Sequence, residues 1–122
     1  MALVVKDSSS AGASLAVRLL KITEVPQTGV SDVMGGTTTV YTLDLENAVG
    51  APIWFRIYDS TGPTFGTTHP DILIRVHNSS HTIWTIAQGL TLSAALTINA
   101  TDADGAGGAS PGSSFDANII AV

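Results

Sequence analysis

Three histidines, His69, His77 and His81, are the only imidazoles in this 122-residue sequence, so any neutral-pH base or nitrogen ligand must come from them. His77 and His81 have the four-residue spacing that serves metals on a helix. Here Asn78-Ser79-Ser80 between them reads as a hairpin turn, so the two rings flank that turn. At most they form a weak surface metal site across two strands; solvated turn-flanking rings are the plainer reading. His69 precedes Pro70, which holds it extended, and reads as a turn residue. Asp102, Asp104 and Gly105 begin like a calcium loop but lack the later ligands and the bidentate glutamate, so they read as an acidic turn. Gly108-Ala109-Ser110-Pro111-Gly112 matches the nucleophile-elbow pattern Gly-x-Ser-x-Gly. The residue after that serine must donate an oxyanion N–H, and Pro111 has none, so the match is chance. Glu24 and Glu46 have no motif that pairs them as acid and base. With no cysteine there is no thiolate site or disulfide. The chain is therefore read as not an enzyme, with no cofactor and no metal. Two glycosylation triplets, at Asn78 and Asn99, carry little weight without a secretory signal.

The composition narrows the partners. Five basic against ten acidic residues give a net charge of −5, and the cations Lys6, Arg18, Lys21, Arg56 and Arg75 form no patch. That excludes phosphate-driven nucleic-acid binding. No apolar run approaches the length of a membrane helix, and the N-terminus lacks a signal-peptide layout. The expected product is made in a host cytoplasm and contacts no membrane. Hydrophobic residues make up 44% of the chain and charged residues only 12%, about half the usual share. A surface so poor in charge is covered by Thr, Ser, Asn and Gly, or by other protein.

The elements that would position any site are strands. Gly and Pro recur at short intervals, at Gly12, Pro26, Gly29, Gly35-Gly36, Gly50, Pro52, Gly62-Pro63, Gly66, Pro70 and Gly89. Runs rich in Val, Ile, Thr, Tyr and Trp lie between them. From Thr37 to Glu46, Tyr41, Leu43 and Leu45 oppose Val40, Thr42 and Asp44. Ile53, Phe55 and Ile57 oppose Trp54, Arg56 and Tyr58. Ile72, Ile74 and Val76 oppose Leu73, Arg75 and His77. Phe115, Ala117, Ile119 and Ala121 oppose Asp116, Asn118, Ile120 and Val122. Leu15 to Val25 also fits a helical face, but β-branched Ile22, Thr23 and Val25 turn it towards strand. Further strands are expected at Ile83–Ile86 and Gly89–Leu96. Ala103 to Ser114 reads as a long exposed loop. The expected fold is all-β: a single antiparallel β-sandwich, jelly-roll-like in one form, of roughly seven to nine strands. Residues 1–14 are expected to be an N-terminal arm or edge strand, and 15–122 the sandwich.

One stretch has a more specific character. An aromatic strand ends in Tyr58-Asp59. A Pro63-Thr64-Phe65-Gly66-Thr67 turn follows, then Pro70-Asp71 before the next strand, and later a Gly89-Leu90-x-x-Ser93 strand entry. In order and spacing this resembles small accessory structural proteins of tailed-phage virions, of the capsid decoration or cement type. The likeness covers somewhat under half the chain and contains no catalytic signature. It implies a virion protein on the outer capsid surface, often a homotrimer, that clamps neighbouring major capsid protein subunits. A tail, neck or fibre-base adaptor is the alternative role, and a lectin-like glycan-binding module the second.

Trp54, Arg56 and Tyr58 share the strand face opposite Ile53, Phe55 and Ile57, and Trp, Tyr and Arg exposed together suit protein interfaces. With Phe65 and Trp84 they form the candidate interface. Core burial and a carbohydrate platform are the competing readings for the aromatics.

Overall fold

The computed structural model describes residues 2–7, 17–111 and 114–122, at 5–7 the backbone alone. Among them are eight strands and no helix. The strands are β1 (Ala2–Asp7), β2 (Arg18–Thr23), β3 (Thr38–Asn47), β4 (Ile53–Asp59), β5 (Ile72–Val76), β6 (Ser80–Leu92), β7 (Leu96–Thr101) and β8 (Phe115–Ala121). They form a five-stranded sheet in the order β1-β2-β8-β3-β6 and a three-stranded sheet in the order β5-β4-β7. Every pairing is antiparallel. Only β1–β2 and β4–β5 are sequential neighbours, so from β3 onward most connections cross between the layers.

The two sheets pack face to face as a β-sandwich. Leu20, Ile22, Leu43, Leu45, Phe115, Ala117 and Ile119 of the large sheet meet Ile53, Phe55, Ile57, Ile74, Val76, Leu96, Ile98 and Ala100 of the small one, all buried. Phe55 and Phe115 stack across the gap with centroids 6.1 Å apart. Each fully buried aliphatic or aromatic side chain contributes about 1.5–3 kcal/mol, so a core of this size accounts for the fold without staples.

Three local features depart from simple alternation. In β3 both Val40 and Leu43 are buried, because the register shifts between Val40 and Thr42 and Tyr41 becomes an extra residue. A β-bulge thus flips the inward phase halfway along the strand, which a period-two reading cannot follow. The strands expected at Ile83–Ile86 and Gly89–Leu96 are instead one strand, β6, and Leu96 opens β7. Gly89, at φ +78°, lets β6 turn without leaving the sheet. There Ile86 to Gly89 stand against Tyr41 alone. A Cβ at Gly89 would overlap the Thr39 methyl and lie 3.0 Å from the Tyr41 ring, so the backbone requires glycine here.

Ala2–Asp7 pairs along the whole of β2, with Ala2 opposite Thr23 and Asp7 opposite Arg18. It is therefore the edge strand of the large sheet rather than an arm reaching out of the sandwich. Residues 8–14 of the expected arm lie outside the described residues.

Candidate interaction surface

The five residues expected to form an interface do not converge on one exposed face. Arg56 is fully buried and Tyr58 is 1% exposed. Their alternation with Ile53, Phe55 and Ile57 is as expected, but two loops fold across that side of β4. The loop after β7 brings the carbonyls of Ala103, Ala106 and Gly107 onto the Arg56 guanidinium, at 2.5, 3.1 and 2.6 Å. The loop after β4 lays Phe65 edge-on against Tyr58, with centroids 5.5 Å apart. Phe65 also rests on Gly29, where a Cβ would sit inside the ring. Tyr58 donates to Asn99 Oδ1. The Arg56/Tyr58 part of the predicted interface is therefore corrected: these side chains hold covering loops and cannot meet a partner. Trp54 is half-buried, with the Arg75 guanidinium 5.6 Å from its ring centre. Trp84, on β6, is 50% exposed.

The same packing changes the reading of the β7–β8 loop. Most of its described residues are exposed, as expected, but the loop is anchored: Arg56 grips three of its carbonyls and Asp102 closes it, accepting from Ala109 N–H at 2.7 Å. Ser110, the serine of the Gly-x-Ser-x-Gly match, accepts from Gln27 N–H. Asn99, in one glycosylation triplet, is fully buried and donates to the Gln27 carbonyl. Sequence reasoning also missed Asn47. Its amide donates to the carbonyls of Ala51, Val76 and His77, and its oxygen accepts from Val49 N–H.

Three residues of the phage-protein resemblance, Asp59, Asp71 and Ser93, meet in one hydrogen-bonded clasp. Asp71 accepts from the Asp59 N–H at 2.7 Å. The Asp59 carboxylate accepts from Ala94 N–H at 2.7 Å, from Ala95 and Ser93 N–H at 3.2 Å, and from the Ser93 hydroxyl at 3.3 Å. These donors, Ala94 first, hold the Asp59 carboxyl below its ordinary value of 3.8. The clasp ties the end of β4 to the start of β5 and to the β6–β7 turn. Its role is to close the fold.

What remains exposed is uneven in charge. On the outer face of the large sheet, strand register lines up three rows. One row, Leu19–Ile120–Thr42–Thr85, has no charge on β2, β8, β3 or β6. The next, Val4–Lys21–Asn118–Asp44–Ile83, is mixed. The last ends in Asp116, Glu46 and His81. Val4, Leu19, Ile120 and Ile83 are all exposed, Ile83 at 61%. At the acidic end an open cleft of ≈ 410 Å³ is lined by Glu46, Asn47, Ala48, Ser79, Ser80 and His81. The His81 ring there already pairs with Asp44. His77 contacts Arg75 at 3.1 Å, and His69 lies in an exposed turn. Among the described residues no three His, Asp or Glu side chains converge as a metal site. Comparison of the chain with protein-family models, curated proteins and solved structures finds no match.

Proposed function

We propose that this chain is a structural protein of a tailed-phage particle, a capsid decoration or cement protein that binds the outer capsid surface as a homo-oligomer. The observation that carries the reading is the outer face of the large sheet, where exposed Leu19 and Ile120 stand in one row with Thr42 and Thr85, and exposed Val4 and Ile83 flank the mixed row beside it. Exposed apolar groups collected on one face mark an interaction site, and neutral contacts suit a protein partner better than nucleic acid. The sequence resemblance supports a virion setting. The net charge of −5 gives no advantage to facing packaged DNA. No chemistry is required of such a protein. Binding the assembled lattice and not its separated subunits stabilises the lattice by mass action, about 2.7 kcal/mol per site at a hundredfold excess over Kd.

Co-sedimentation with DNA-free phage capsids tests the proposal. Binding should persist as salt is raised, since neutral contacts are not screened, and Leu19→Glu should weaken it. Binding to purified tails but not to capsids would favour the adaptor role, and binding to neither would overturn the virion reading.

A further inference from the structure

A β-sandwich with two open sheets has four edges, and three of them here are protected. The outer edge of β7 is taken up by the segment after β2: Val30 and Ile98 exchange hydrogen bonds at 2.8 and 3.0 Å, and Val33 N–H donates to Leu96 O at 2.8 Å. β5 is only five residues long and carries Arg75. β1 carries Lys6 and Asp7. β6 has none of these three defences, and its bulge at Ile86–Gly89 leaves Ser80–Thr85 regularly paired. It runs for thirteen residues, Ser80–Leu92, and among the described residues pairs with β3 alone. It contains no proline, and no Asp, Glu, Lys or Arg lies between Arg75 and Asp102; its one titratable side chain, His81, faces Asp44 of its own sheet. It also carries the two most exposed large apolar side chains among the described residues, Ile83 at 61% and Trp84 at 50%. Natural proteins blunt long apolar edges because their unpaired N–H and C=O groups recruit other strands. An edge left bare in this way is one that another strand covers.

We propose that the β6 edge pairs with the β6 edge of a second copy of this chain, joining two large sheets across a two-fold axis. Charge selects this occupant. Two chains of net charge −5 repel over most of their surfaces, and β6 is the strand edge at which neither brings a charge to the other. Geometry then limits the register. Antiparallel pairing of identical edges needs an axis normal to the sheet, which keeps each copy's outer face on the same side. Outer-side Ile83 must therefore oppose an outer-side residue, and inner-side Trp84 an inner-side one. Centring the axis on Ile83 sets Ile83 against its mate and Trp84 against Thr82. Centring it on Trp84 sets Trp84 against its mate and Ile83 against Thr85. Each arrangement withdraws both exposed apolar side chains from water, and the one carboxylate beside Ile83, that of Asp44, is already paired with His81. The pairing is isologous and closes at two, so it gives a dimer where the sequence resemblance implies a trimer. It does not depend on what the particle offers as a binding site.

Light scattering and sedimentation velocity on the full chain decide the matter. The wild type should show twice the 12.5 kDa chain mass at tens of micromolar. Ile83→Lys and Thr85→Lys place like charges near the axis from the exposed outer side. Each should raise the dimer dissociation constant roughly tenfold or more, with an unchanged β-sheet circular dichroism spectrum. Leu73→Lys, on the exposed side of β5, should remain dimeric. A wild type that stays monomeric through this range, a trimer mass, a dimer indifferent to both edge lysines, or a dimer lost equally with Leu73→Lys would each overturn the proposal.

Discussion

Replacing Arg56 with methionine should destabilise the domain by about 2–4 kcal/mol, even though no carboxylate among the described residues partners the arginine. The side chain is fully buried, and three of its N–H groups reach carbonyls of the β7–β8 loop at 2.5–3.1 Å. Its Nε is the one buried side-chain nitrogen or oxygen among the described residues without a partner. A charge-assisted hydrogen bond contributes roughly 1.5–3 kcal/mol, so three give about 5–9 kcal/mol in favour of the native state. Removing the cation from water costs several kcal/mol in the other direction, and the orphaned Nε adds to that cost. Methionine keeps much of the apolar stem, so lost packing is a small part of the change. The three carbonyls would lose their donors, but Gly107 is exposed and water can reach the loop once it lifts. That accessible water keeps the loss below the full gross value.

Urea denaturation measures the effect directly. At this chain length each kcal/mol corresponds to roughly 4 °C, so the melting temperature should fall by about 8–16 °C. Limited proteolysis supplies a local readout, since the variant should be cut between residues 102 and 111 before the sandwich unfolds. A variant within about 1 kcal/mol of wild type, with that loop still protected, would refute the view that the guanidinium holds the loop.

The clasp and the bulge give two further tests. Because the Asp59 carboxyl is held below its ordinary value, the unfolded chain takes up the proton first as pH falls. Its stabilisation is complete above about pH 5 and is lost as pH drops through the unfolded and then the folded value. Asp59→Asn should therefore flatten the acid limb of the melting-temperature profile, and an acid limb identical to that of wild type would show that the clasp contributes nothing. Gly89→Ala should destabilise by about 1–3 kcal/mol in urea unfolding, because φ is +78° and the new methyl meets Thr39 and Tyr41; a neutral result would mean the bulge relaxes freely.

The architecture was legible wherever one face of a strand is dry. Ile53, Phe55 and Ile57, or Phe115, Ala117 and Ile119, alternate strictly and are buried as their period implies. β3 misled because one extra residue, Tyr41, reverses the phase, and nothing in Val40-Tyr41-Thr42 marks a bulge in advance. The surface was legible only in part. Thr97, Asn99 and Thr101 alternate with apolar neighbours as a solvent-facing row would, yet all three are buried because covering segments bring carbonyls to them. Period two reports which side of a sheet a residue occupies, not whether a loop lies over it. The available signal was the pairing of long loops with a row of hydrogen-bonding side chains, Arg56 and Tyr58 among them, on the outer side of the small sheet.

That distinction bears on how a role follows from the resemblance. Asp59, Phe65, Asp71 and Ser93 close the fold and Gly89 permits the bulge, so the residues behind the resemblance are spent on architecture. Whatever distinguishes one partner from another has to be written elsewhere, in β6 and in the outer rows of the large sheet. Those rows are graded, from Leu19–Ile120–Thr42–Thr85 to Asp116, Glu46 and His81. On the proposed capsid role, the row that is free of charge from β2 to β6 belongs against the lattice and the acidic row towards solvent, because a buried carboxylate without a partner costs far more than an exposed one. Reversing that gradient, with an acid at Ile120 and alanine at Glu46, should therefore abolish capsid binding while leaving the clasp, the core and the β6 edge untouched.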